Sequence, residues 1–582
     1  MYDLAITGAT VADGTGKDTF TADVAVKDGR IALIGKLDGA AKRTIDAAGA
    51  VVTPGFVDLH THYDGQVSWD PELSPSSLHG VTTAVMGNCG VGFAPVRAND
   101  RETLIRLMEG VEDIPGAALA EGIAWRWETF PEYMSALDSI PHSIDFALQV
   151  PHDALRVYVM GERGVNGLAA TPDDIEAMRV LLREALVAGA AGFSTGRTDN
   201  HRSADGKATP AAEATIAELT GLARAFEGLS HGVLQAVSDF DIDAGPARFE
   251  PEFQVVLEMA RAAGGHRTSL SLLQRDAASD QWERILSGCE KATAEGTPMR
   301  VQVAARGIGV LLGLEATFHP FIGFPSYKRI SQLSLEERVR ILSSPEYKKQ
   351  LLTEKSEPLA GDGSAVPKLA DTLLSNIDFV AMRLFRIGEN PTYEPDVKDS
   401  LYGEALRTGR PVLDVVYDAM LADGGKELLY FPIFNYTGRN LDTVERMLKH
   451  PLALPGLSDG GAHVGTVCDA SFPTFMLMHW ARDTGKIPLA KVVSMMSRES
   501  AEHIGLSDRG VIEVGRKADL NVIDLAGLRL TRPGLVRDLP GGGQRLIQQA
   551  HGYLATVVAG EVVRDANGLT AARPGRLARL GQ

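Results

Sequence analysis

Two histidines near residue 60 have the spacing at which a β-strand can present two metal ligands. His60 and His62 follow an apolar, strand-like run over residues 51–59. Alternate residues of a strand point to the same face, so the two imidazoles project together, about 7 Å apart. Such a pair suits a divalent ion such as zinc. The alternative is a pair of ordinary hydrogen-bonded histidines at a strand end, and the spacing alone does not decide between the two.

The segments that must position these histidines alternate between strand-like and helix-like patterns. A helix is clearest after Thr171, a candidate N-cap that precedes Pro172 and apolar residues at helical spacing. Such alternation predicts a mostly parallel sheet. Nine segments qualify for an eight-stranded barrel, and we expect 428–433 to be the accessory strand. The nine are residues 52–60, 82–88, 144–150, 190–195, 232–238, 267–273, 299–305, 428–433 and 454–459.

The two ends of the chain share a different pattern, in which short strands alternate with turn signals. We predict an α/β protein, a (β/α)8 TIM-type barrel with a small β-sandwich domain formed by both chain termini. The β domain is predicted to take residues 1–53 and 510–582, and the barrel residues 54–509. Residues 325–427 break the alternation and are predicted to be an insertion over the barrel mouth, with residues 335–352 helical.

Composition and charge exclude several classes of protein. The chain has 582 residues, of which 44% are hydrophobic and 23% charged, as in soluble globular proteins. It has no apolar run of membrane-spanning length and no signal-peptide pattern, and its three cysteines form no Cys-x-x-Cys pair. A net charge of −17 disfavours nucleic acid. We therefore expect a cytoplasmic protein that acts on a small molecule, with no nucleic-acid or membrane partner; self-association into a homo-oligomer stays open.

Four segments resemble the amidohydrolase superfamily, and within it the N-acyl-D-amino-acid deacylase (D-aminoacylase) branch. This resemblance implies a metal-dependent hydrolase of an amide-type C–N bond, built on a TIM-type barrel. It spans nearly the whole chain except 325–427. The four segments are the strand that ends in His60 and His62, Gly80–Gly90 with its Gly-Asn-Cys-Gly, Gly456–His463 with its Ser-Asp-Gly, and Gly510–Asp524 together with Val557–Arg564.

The resemblance implies roles for individual residues. His60, His62, Cys89 and Asp459 correspond to metal ligands, and a thiolate is chemically a good ligand for zinc. Asp459 also corresponds to the general base, which takes a proton from a metal-activated water. The alternatives are a buried, unreactive cysteine at position 89 and a turn aspartate at position 459.

Four further residues are candidates for binding substrate. His152 and Arg197 lie in segments that resemble the family after its third and fourth strands, Pro-His-Asp-Ala-Leu-Arg and Phe-Ser-Thr-Gly-Arg. A structural hydrogen-bonding histidine and a solvent-facing arginine are the respective alternatives. Arg275 and Arg306 are candidates for holding a substrate carboxylate.

Two strands depart from the family pattern. The family carries a histidine on strand five and another on strand six, where this chain has Val237 and Leu272. Since neither side chain can bind a metal, we expect one divalent ion, with zinc as the first candidate, and no second metal. Asp239 and Gln274 replace the family's arginine and lysine beside those histidines, which weakens the case for a free N-acyl-D-amino acid as substrate.

Three functions stay open on these residues. The first is metal-dependent hydrolysis of an amide-type C–N bond in an N-acyl amino acid-like or small hydrophobic substrate. The second keeps the barrel but catalyses ester hydrolysis, or a lyase or isomerase reaction, on an aromatic or apolar compound. Aromatic residues at 318, 321, 324 and 327 favour an apolar substrate unless they form the core of the insertion. The third is a catalytically silent binding protein, which the two missing histidines favour and the retained ligands oppose.

Overall fold

The computed structural model describes residues 1–241, 244–359, 366 and 368–581. Its strands belong to an eight-stranded sheet, a nine-stranded sheet and three smaller sheets. In chain order they are β1 (Tyr2–Val11), β2 (Phe20–Lys27), β3 (Arg30–Gly35), β4 (Ala41–Asp46), β5 (Val51–Pro54), β6 (Phe56–Asp58), β7 (Val81–Met86), β8 (Asp145–Pro151), β9 (Gly192–Arg197), β10 (Val233–Ser238), β11 (Thr268–Leu272), β12 (Met299–Val303), β13 (Ile308–Leu312), β14 (Phe385–Arg386), β15 (Leu429–Phe434), β16 (Ala453–Pro455), β17 (Leu520–Ile523), β18 (Arg529–Leu530), β19 (Gly534–Val536), β20 (Arg545–Ile547), β21 (Ala550–His551), β22 (Tyr553–Val558), β23 (Glu561–Asp565) and β24 (Gly568–Leu569).

Helices fill most of the segments between the strands of the eight-stranded sheet. None of the described helices has both the length and the apolar character needed to cross a membrane. In chain order the α-helices are α1 (Arg101–Glu112), α2 (Gly116–Gly122), α3 (Phe130–Asp138), α4 (His152–Met160), α5 (Glu162–Val165), α6 (Pro172–Val187), α7 (Ile216–Ala223), α8 (Phe249–Ala262), α9 (Gln281–Ala294), α10 (Pro325–Lys328), α11 (Leu335–Leu342), α12 (Pro345–Leu352), α13 (Lys368–Leu374), α14 (Ile377–Ala381), α15 (Leu401–Thr408), α16 (Val412–Gly425), α17 (Asp442–Leu448), α18 (Phe472–Phe475), α19 (Leu489–Ser494) and α20 (Ser500–Ile504).

Eight parallel strands form the central barrel, in the order β16-β12-β11-β10-β9-β8-β7-β6. A parallel bridge between Thr61 and Gly460, just beyond β6 and β16, brings the two edges together. The His62 N–H donates to the Gly460 carbonyl oxygen at 2.8 Å, and the Asp459 N–H donates to the His60 carbonyl oxygen at 3.1 Å. This closure places the residues that follow the first strand beside those that follow the last. The predicted barrel is confirmed.

The segment between β12 and β16 builds a layer of its own beside the barrel. β15, predicted as the accessory strand, pairs with β13 and β14 in a separate three-stranded sheet. The predicted helix over 335–352 is two helices, α11 and α12, because Ser344 caps a new helix that begins at Pro345. These elements share a hydrophobic core that contains Phe321, Phe324 and Tyr327. Residues 360–365 and 367 of the predicted insertion lie outside the described residues.

Strands from both ends of the chain combine in the nine-stranded sheet. Its order is β24-β23-β22-β17-β5-β1-β2-β3, and β4 pairs with β1. The join between the two ends is β5, which pairs with β1 on one side and with β17 on the other. The sheet has a separate hydrophobic core, which includes Ile6, Val24, Val52, Val522 and Val557. A β-rich domain formed by both termini therefore accompanies the barrel, as the fold prediction required.

The start of α6 shows how local sequence sets a barrel helix. The Thr171 side chain accepts a hydrogen bond from the Asp174 N–H, and the Asp174 side chain accepts one from the Thr171 N–H. This capping box satisfies two amides that the first helical turn leaves unpaired, and Pro172 occupies the first turn, where no amide donor is needed. The predicted cap is confirmed.

A buried ion network joins the barrel to the β-rich domain. Asp145, at the start of β8, accepts hydrogen bonds from the side chains of Arg509 and Lys517, and from the Arg576 N–H at 2.9 Å. Burial alone would raise the pKa of Asp145, but Lys517 and Arg509 bring that pKa below its ordinary value. The ionised carboxylate therefore stabilises the fold at neutral pH, and this contribution is lost as the pH falls through the acid range.

We expect Asp145→Ala to lower the free energy of unfolding by about 3 kcal/mol, since it leaves buried cations without their main partner. This expected loss is at the low end of the range for buried ion pairs, because Arg509 keeps a second partner, Asp519, at 3.8 Å. Urea denaturation followed by circular dichroism measures the change. Asp508→Ala is the matched control: Asp508 also pairs with Arg509 but is 42% exposed, so the loss should stay under about 1 kcal/mol. Equal losses in both variants would contradict the buried role of Asp145.

Candidate active site

Four predicted metal ligands converge at the rim where the barrel strands end. His60 Nε2 lies 3.2 Å from Cys89 Sγ and 3.5 Å from Asp459 Oδ1. His62 Nε2 lies 3.9 Å from the same aspartate oxygen. The ligand atoms of His60, His62 and Cys89 are all within 4.8 Å of one another, the one such group found among the described residues. Because parallel strands end at the same edge, residues about 400 positions apart in sequence meet at one point.

Two of the four donors, Cys89 and Asp459, have an uncommon backbone conformation. Cys89 has a φ of +56° and Asp459 a φ of +48°, and His463 nearby has +47°. Residues other than glycine adopt this left-handed backbone conformation infrequently, at a cost in free energy on the order of 1 kcal/mol each. Hydrogen bonds support the geometry: the Cys89 N–H donates to Gln235 Oε1 at 3.2 Å. Two of the four donors therefore lie in strained backbone.

Burial prepares the two histidines to bind a cation. Desolvation lowers the pKa of His60 to about 4 and the pKa of His62 well below its ordinary value, so both rings are neutral at pH 7. His60 Nδ1 donates to Gln302 Oε1 at 2.9 Å, and Gln302 Nε2 donates to Ser269 Oγ at 3.0 Å. This chain of bonds leaves the lone pair of His60 Nε2 facing Cys89 and Asp459.

The donor set fits a divalent metal ion. Two neutral imidazoles, one thiol and one carboxylate are the ligand types that zinc selects. Burial raises the pKa of the Cys89 thiol well above its ordinary value and also raises the pKa of Asp459, and a nearby positive charge would favour both anions. A bound cation would supply that charge, and the thiol proton would leave as the ion binds.

Glu112 is a site residue that the sequence analysis missed. It ends α1 and is 1% exposed; its Oε1 lies 3.3 Å from His62 Nδ1, and its Oε2 3.6 Å from His463 Nε2. Neither oxygen has a hydrogen-bond partner among the described residues. The available signal was that Glu112 lies four residues after Met108, on the buried face of an amphipathic helix. An acidic residue on that face needs a partner, and His62 and His463 are in place for it.

His152 and Arg197, predicted to contact substrate, are held by other residues. His152 is fully buried, with Nδ1 2.9 Å from Thr195 Oγ1 and Nε2 3.0 Å from Glu218 Oε1. Arg197 donates to Glu252 Oε2 at 2.9 Å. Neither is among the residues that line the cavity beside the donor cluster.

The two other predicted substrate contacts, Arg275 and Arg306, also lie outside the cavity lining. Arg275 donates to Gln281 Oε1 and to the Ser238 carbonyl oxygen, each at 3.2 Å. Arg306 pairs with Asp469 at 3.0 Å and packs on the ring of Tyr393, with 3.4 Å between its Cζ and the ring centroid. Both guanidinium groups therefore already have partners within the fold.

The strands that depart from the family pattern reach the cavity at two places. Val237 on β10, the predicted replacement of the family's strand-five histidine, lines it. On β11 the residue that lines the cavity is Ser271, and Leu273 follows just beyond the strand, whereas Leu272 does not line it. Side chains alternate along a strand, so Leu272 points to the opposite face from Ser271. Hydroxyl and aliphatic side chains thus occupy the wall opposite the donors.

A cavity of about 500 Å³ opens from the donor cluster. One side is polar: beside the four donors it contains Glu112, His201 and His463. The other side is apolar and is built largely by β13, β15 and the helices α13 and α14. Its apolar residues are Val237, Leu273, Ile308, Val310, Leu312, Phe318, Ile322, Val366, Ala370, Leu373, Leu374, Val380, Phe431, Ile433, Phe434, Leu457 and Val467.

The closed parallel barrel has imidazole, thiol and carboxylate groups clustered at its strand ends, an arrangement typical of metal-dependent hydrolases. Comparison with known proteins supports this class. The profile of the amidohydrolase family matches residues 43–355 and 428–564. The chain therefore belongs to the amidohydrolase family and is a metal-dependent amidohydrolase, as predicted. The part that the profile leaves out, 356–427, lies within the predicted insertion.

Individual relatives place the chain on the D-aminoacylase branch, again as predicted. It is 28% identical to the D-aminoacylase of Alcaligenes xylosoxydans xylosoxydans over 528 residues, which cover 90% of this chain and 88% of that protein. It is 30% identical to the N-acyl-D-aspartate deacylase of the same organism over 353 residues, which cover 58% of this chain and 66% of that protein. A crystal structure of D-aminoacylase superimposes with a TM-score of 0.64 at 24% identity, with 100% of both chains covered, which shows a shared fold.

Proposed function

We propose that His60, His62, Cys89 and Asp459 hold one divalent metal ion, with zinc as the first candidate, and that this ion serves hydrolysis of an amide-type C–N bond. The observation that carries the proposal is the convergence of the four donors, with His60 Nε2 only 3.2 Å from Cys89 Sγ and 3.5 Å from Asp459 Oδ1. The relatives named above are deacylases of small N-acyl compounds, which supports a small-molecule substrate.

Each residue then has a defined task. When bound, the ion would polarise a carbonyl oxygen and make a water molecule more acidic. Asp459 keeps 17% of its side chain exposed to the cavity, so its carboxylate can accept a proton from water and pass it to the leaving nitrogen. Gln302 fixes the tautomer of His60 through the bond to Nδ1. Glu112 Oε1 lies 3.3 Å from His62 Nδ1, where it would orient that ring for the ion.

The direct test measures metal content and turnover together. Purified protein, stripped with a chelator and reloaded with zinc, should bind about one ion per chain and hydrolyse members of a panel of N-acyl amines. Mass spectrometry of the products should show addition of water and release of an amine. Products without added water would favour the lyase or isomerase alternative, and turnover of esters alone would favour ester hydrolysis. Protein that binds zinc but converts no compound would support a silent binding protein and contradict the proposal.

Glu112 gives a prediction about metal affinity. We expect Glu112→Ala to weaken zinc binding by about 10–100-fold, because the histidine loses the carboxylate that orients it. Glu112→Gln should lose less than Glu112→Ala, since its amide oxygen keeps a polar atom beside His62 Nδ1. Competition with a chromophoric chelator gives the dissociation constants. Glu109→Ala is the control: Glu109 lies on the same helix and lines the cavity but contacts neither histidine of the cluster. Unchanged zinc affinity in Glu112→Ala would show that Glu112 does not support the site.

A further inference from the structure

We infer that the substrate is an electrically neutral amide with an extended apolar group, and not an acylated amino acid with a free carboxylate. The inference rests on the proposed amide hydrolysis and goes further, because it names the charge and polarity of the molecule that the cavity accepts. It follows from three observations. These are the charges of the residues that line the cavity, the hydrogen bonds that the nearby side chains of Arg275 and Arg306 already make, and the arrangement of the apolar wall.

The described part of the cavity lining offers no permanent positive charge. Among the described residues that line it there is neither lysine nor arginine, whereas Glu109, Glu112, Asp113 and Asp459 are all acidic. A carboxylate taken out of water into such a cavity would meet acidic side chains and no charged donor. The bound ion would be occupied by the amide carbonyl and by water, so it would not serve as the anchor of a second anionic group.

The histidines of the lining do not replace a basic side chain. His463 Nε2 already faces Glu112 Oε2 at 3.6 Å. His201 is half-buried, and desolvation, with a smaller effect of His60, lowers its pKa to about 4, so it carries no permanent charge at pH 7. Arg275 and Arg306, the basic residues that the sequence suggested for this task, donate to Gln281, Ser238 and Asp469 instead.

The apolar wall is a continuous surface and not a set of scattered side chains. Ile308, Val310 and Leu312 alternate along β13 and so share one face, and Phe431 and Ile433 do the same on β15. These two strands are antiparallel neighbours in one sheet, with Val310 opposite Phe431. Leu373, Leu374 and Val380 of α13 and α14 also line the cavity. A surface of this kind favours an alkyl chain or an aromatic ring of the substrate.

Matched compounds test the inference on the zinc-loaded wild-type protein. The neutral compound is N-octanoyl-phenethylamine, and the anionic partner is N-octanoyl-phenylalanine as both enantiomers, which differs only by the carboxylate. We expect kcat/KM to favour the neutral compound at least tenfold and to rise about fourfold for each added methylene until the cavity is filled. Equal or better turnover of either enantiomer of the acid would overturn the inference while leaving amide hydrolysis intact.

Binding separates this inference from the proposed reaction. Ketone analogues in which CH2 replaces the amide NH cannot be hydrolysed, and calorimetry gives their dissociation constants. Tighter binding of the neutral analogue with no turnover of any amide would support the substrate class and contradict the hydrolytic function. Val310→Lys introduces a cation into the wall and should shift the preference toward the acid, whereas Val310→Met keeps the wall apolar and should retain the neutral preference. Circular dichroism and zinc content check that both variants fold. A neutral preference unchanged in Val310→Lys would overturn the inference.

Discussion

Asp459→Asn is expected to lower kcat about a thousandfold while the protein keeps most of its metal, since general base catalysis contributes 10²–10⁴-fold. Asparagine has nearly the same shape and retains an oxygen ligand, but it cannot accept a proton. Steady-state kinetics on the best amide of the panel, with zinc content measured on the same sample, gives both quantities. Full activity in this variant would end the proposed mechanism.

Asp113→Asn is the matched control for this prediction. Asp113 also lines the cavity, but its carboxylate accepts hydrogen bonds from Thr317 and Thr466 and does not contact the donor cluster. We expect its kcat to change by less than about fivefold, within the range of a substitution that removes no reacting group. A large loss of kcat in Asp113→Asn would indicate that removing any carboxylate of the cavity lowers activity. The loss in Asp459→Asn would then not identify Asp459 as the general base.

The pH profile of the wild-type protein gives an independent check on Asp459. Burial raises the pKa of this carboxyl above its ordinary value, and a protonated carboxyl cannot act as a base. Activity should therefore be complete at neutral pH and be lost as the pH falls and this carboxyl takes up a proton. Because Asp459→Asn has no such carboxyl, its residual activity should lack this loss.

His60→Ala is expected to weaken zinc binding at least about a hundredfold and to reduce turnover below about one per cent, because three or four ligands define such a site. His60 touches both Cys89 and Asp459, so its removal disconnects the cluster. Equilibrium dialysis against zinc measures the binding, and added zinc should restore little activity. Wild-type zinc affinity in His60→Ala would show that the ion binds elsewhere.

His231→Ala serves as the control for the loss of one histidine. His231 precedes β10, at the opposite end of the barrel from the cluster, and its Nε2 donates to the Leu186 carbonyl oxygen at 2.9 Å. Its removal should leave zinc content unchanged. Cys89→Ser gives an intermediate case: the hydroxyl is a weaker ligand than a thiolate, so affinity should fall while turnover at saturating zinc stays measurable.

Local patterns predicted the barrel elements well, whereas contacts across the barrel needed the family resemblance or the structure. The cap at Thr171 is confirmed because it depends on four consecutive residues. The proximity of His60 and Asp459 depends on closure of the whole sheet through the Thr61–Gly460 bridge, so no local pattern contains it. Glu112 was missed for the same reason: its partners, His62 and His463, come from other parts of the chain.

The β11 strand shows why register is hard to assign from sequence. Its residues 269–272 read Ser-Leu-Ser-Leu, so either alternate set could face the barrel interior. The structure turns the serines inward, where Ser269 bonds Gln302 and Ser271 lines the cavity, so the leucines point to the opposite face of the strand. The sequence analysis placed Leu272 at the position of the family's histidine, and a register shift of one residue would place Ser271 there instead.

The amidohydrolase profile stops at residue 355 and resumes at 428, yet α13 and α14, which lie in that gap, contribute to the wall of the cavity. The four donors all come from the matched part of the chain. The reacting groups therefore all lie in the matched part of the chain, whereas the wall of the cavity takes residues from both the matched and the unmatched parts. Exchange of the unmatched stretch between relatives would alter which compounds enter while leaving the reacting groups untouched, a modular route to new substrates.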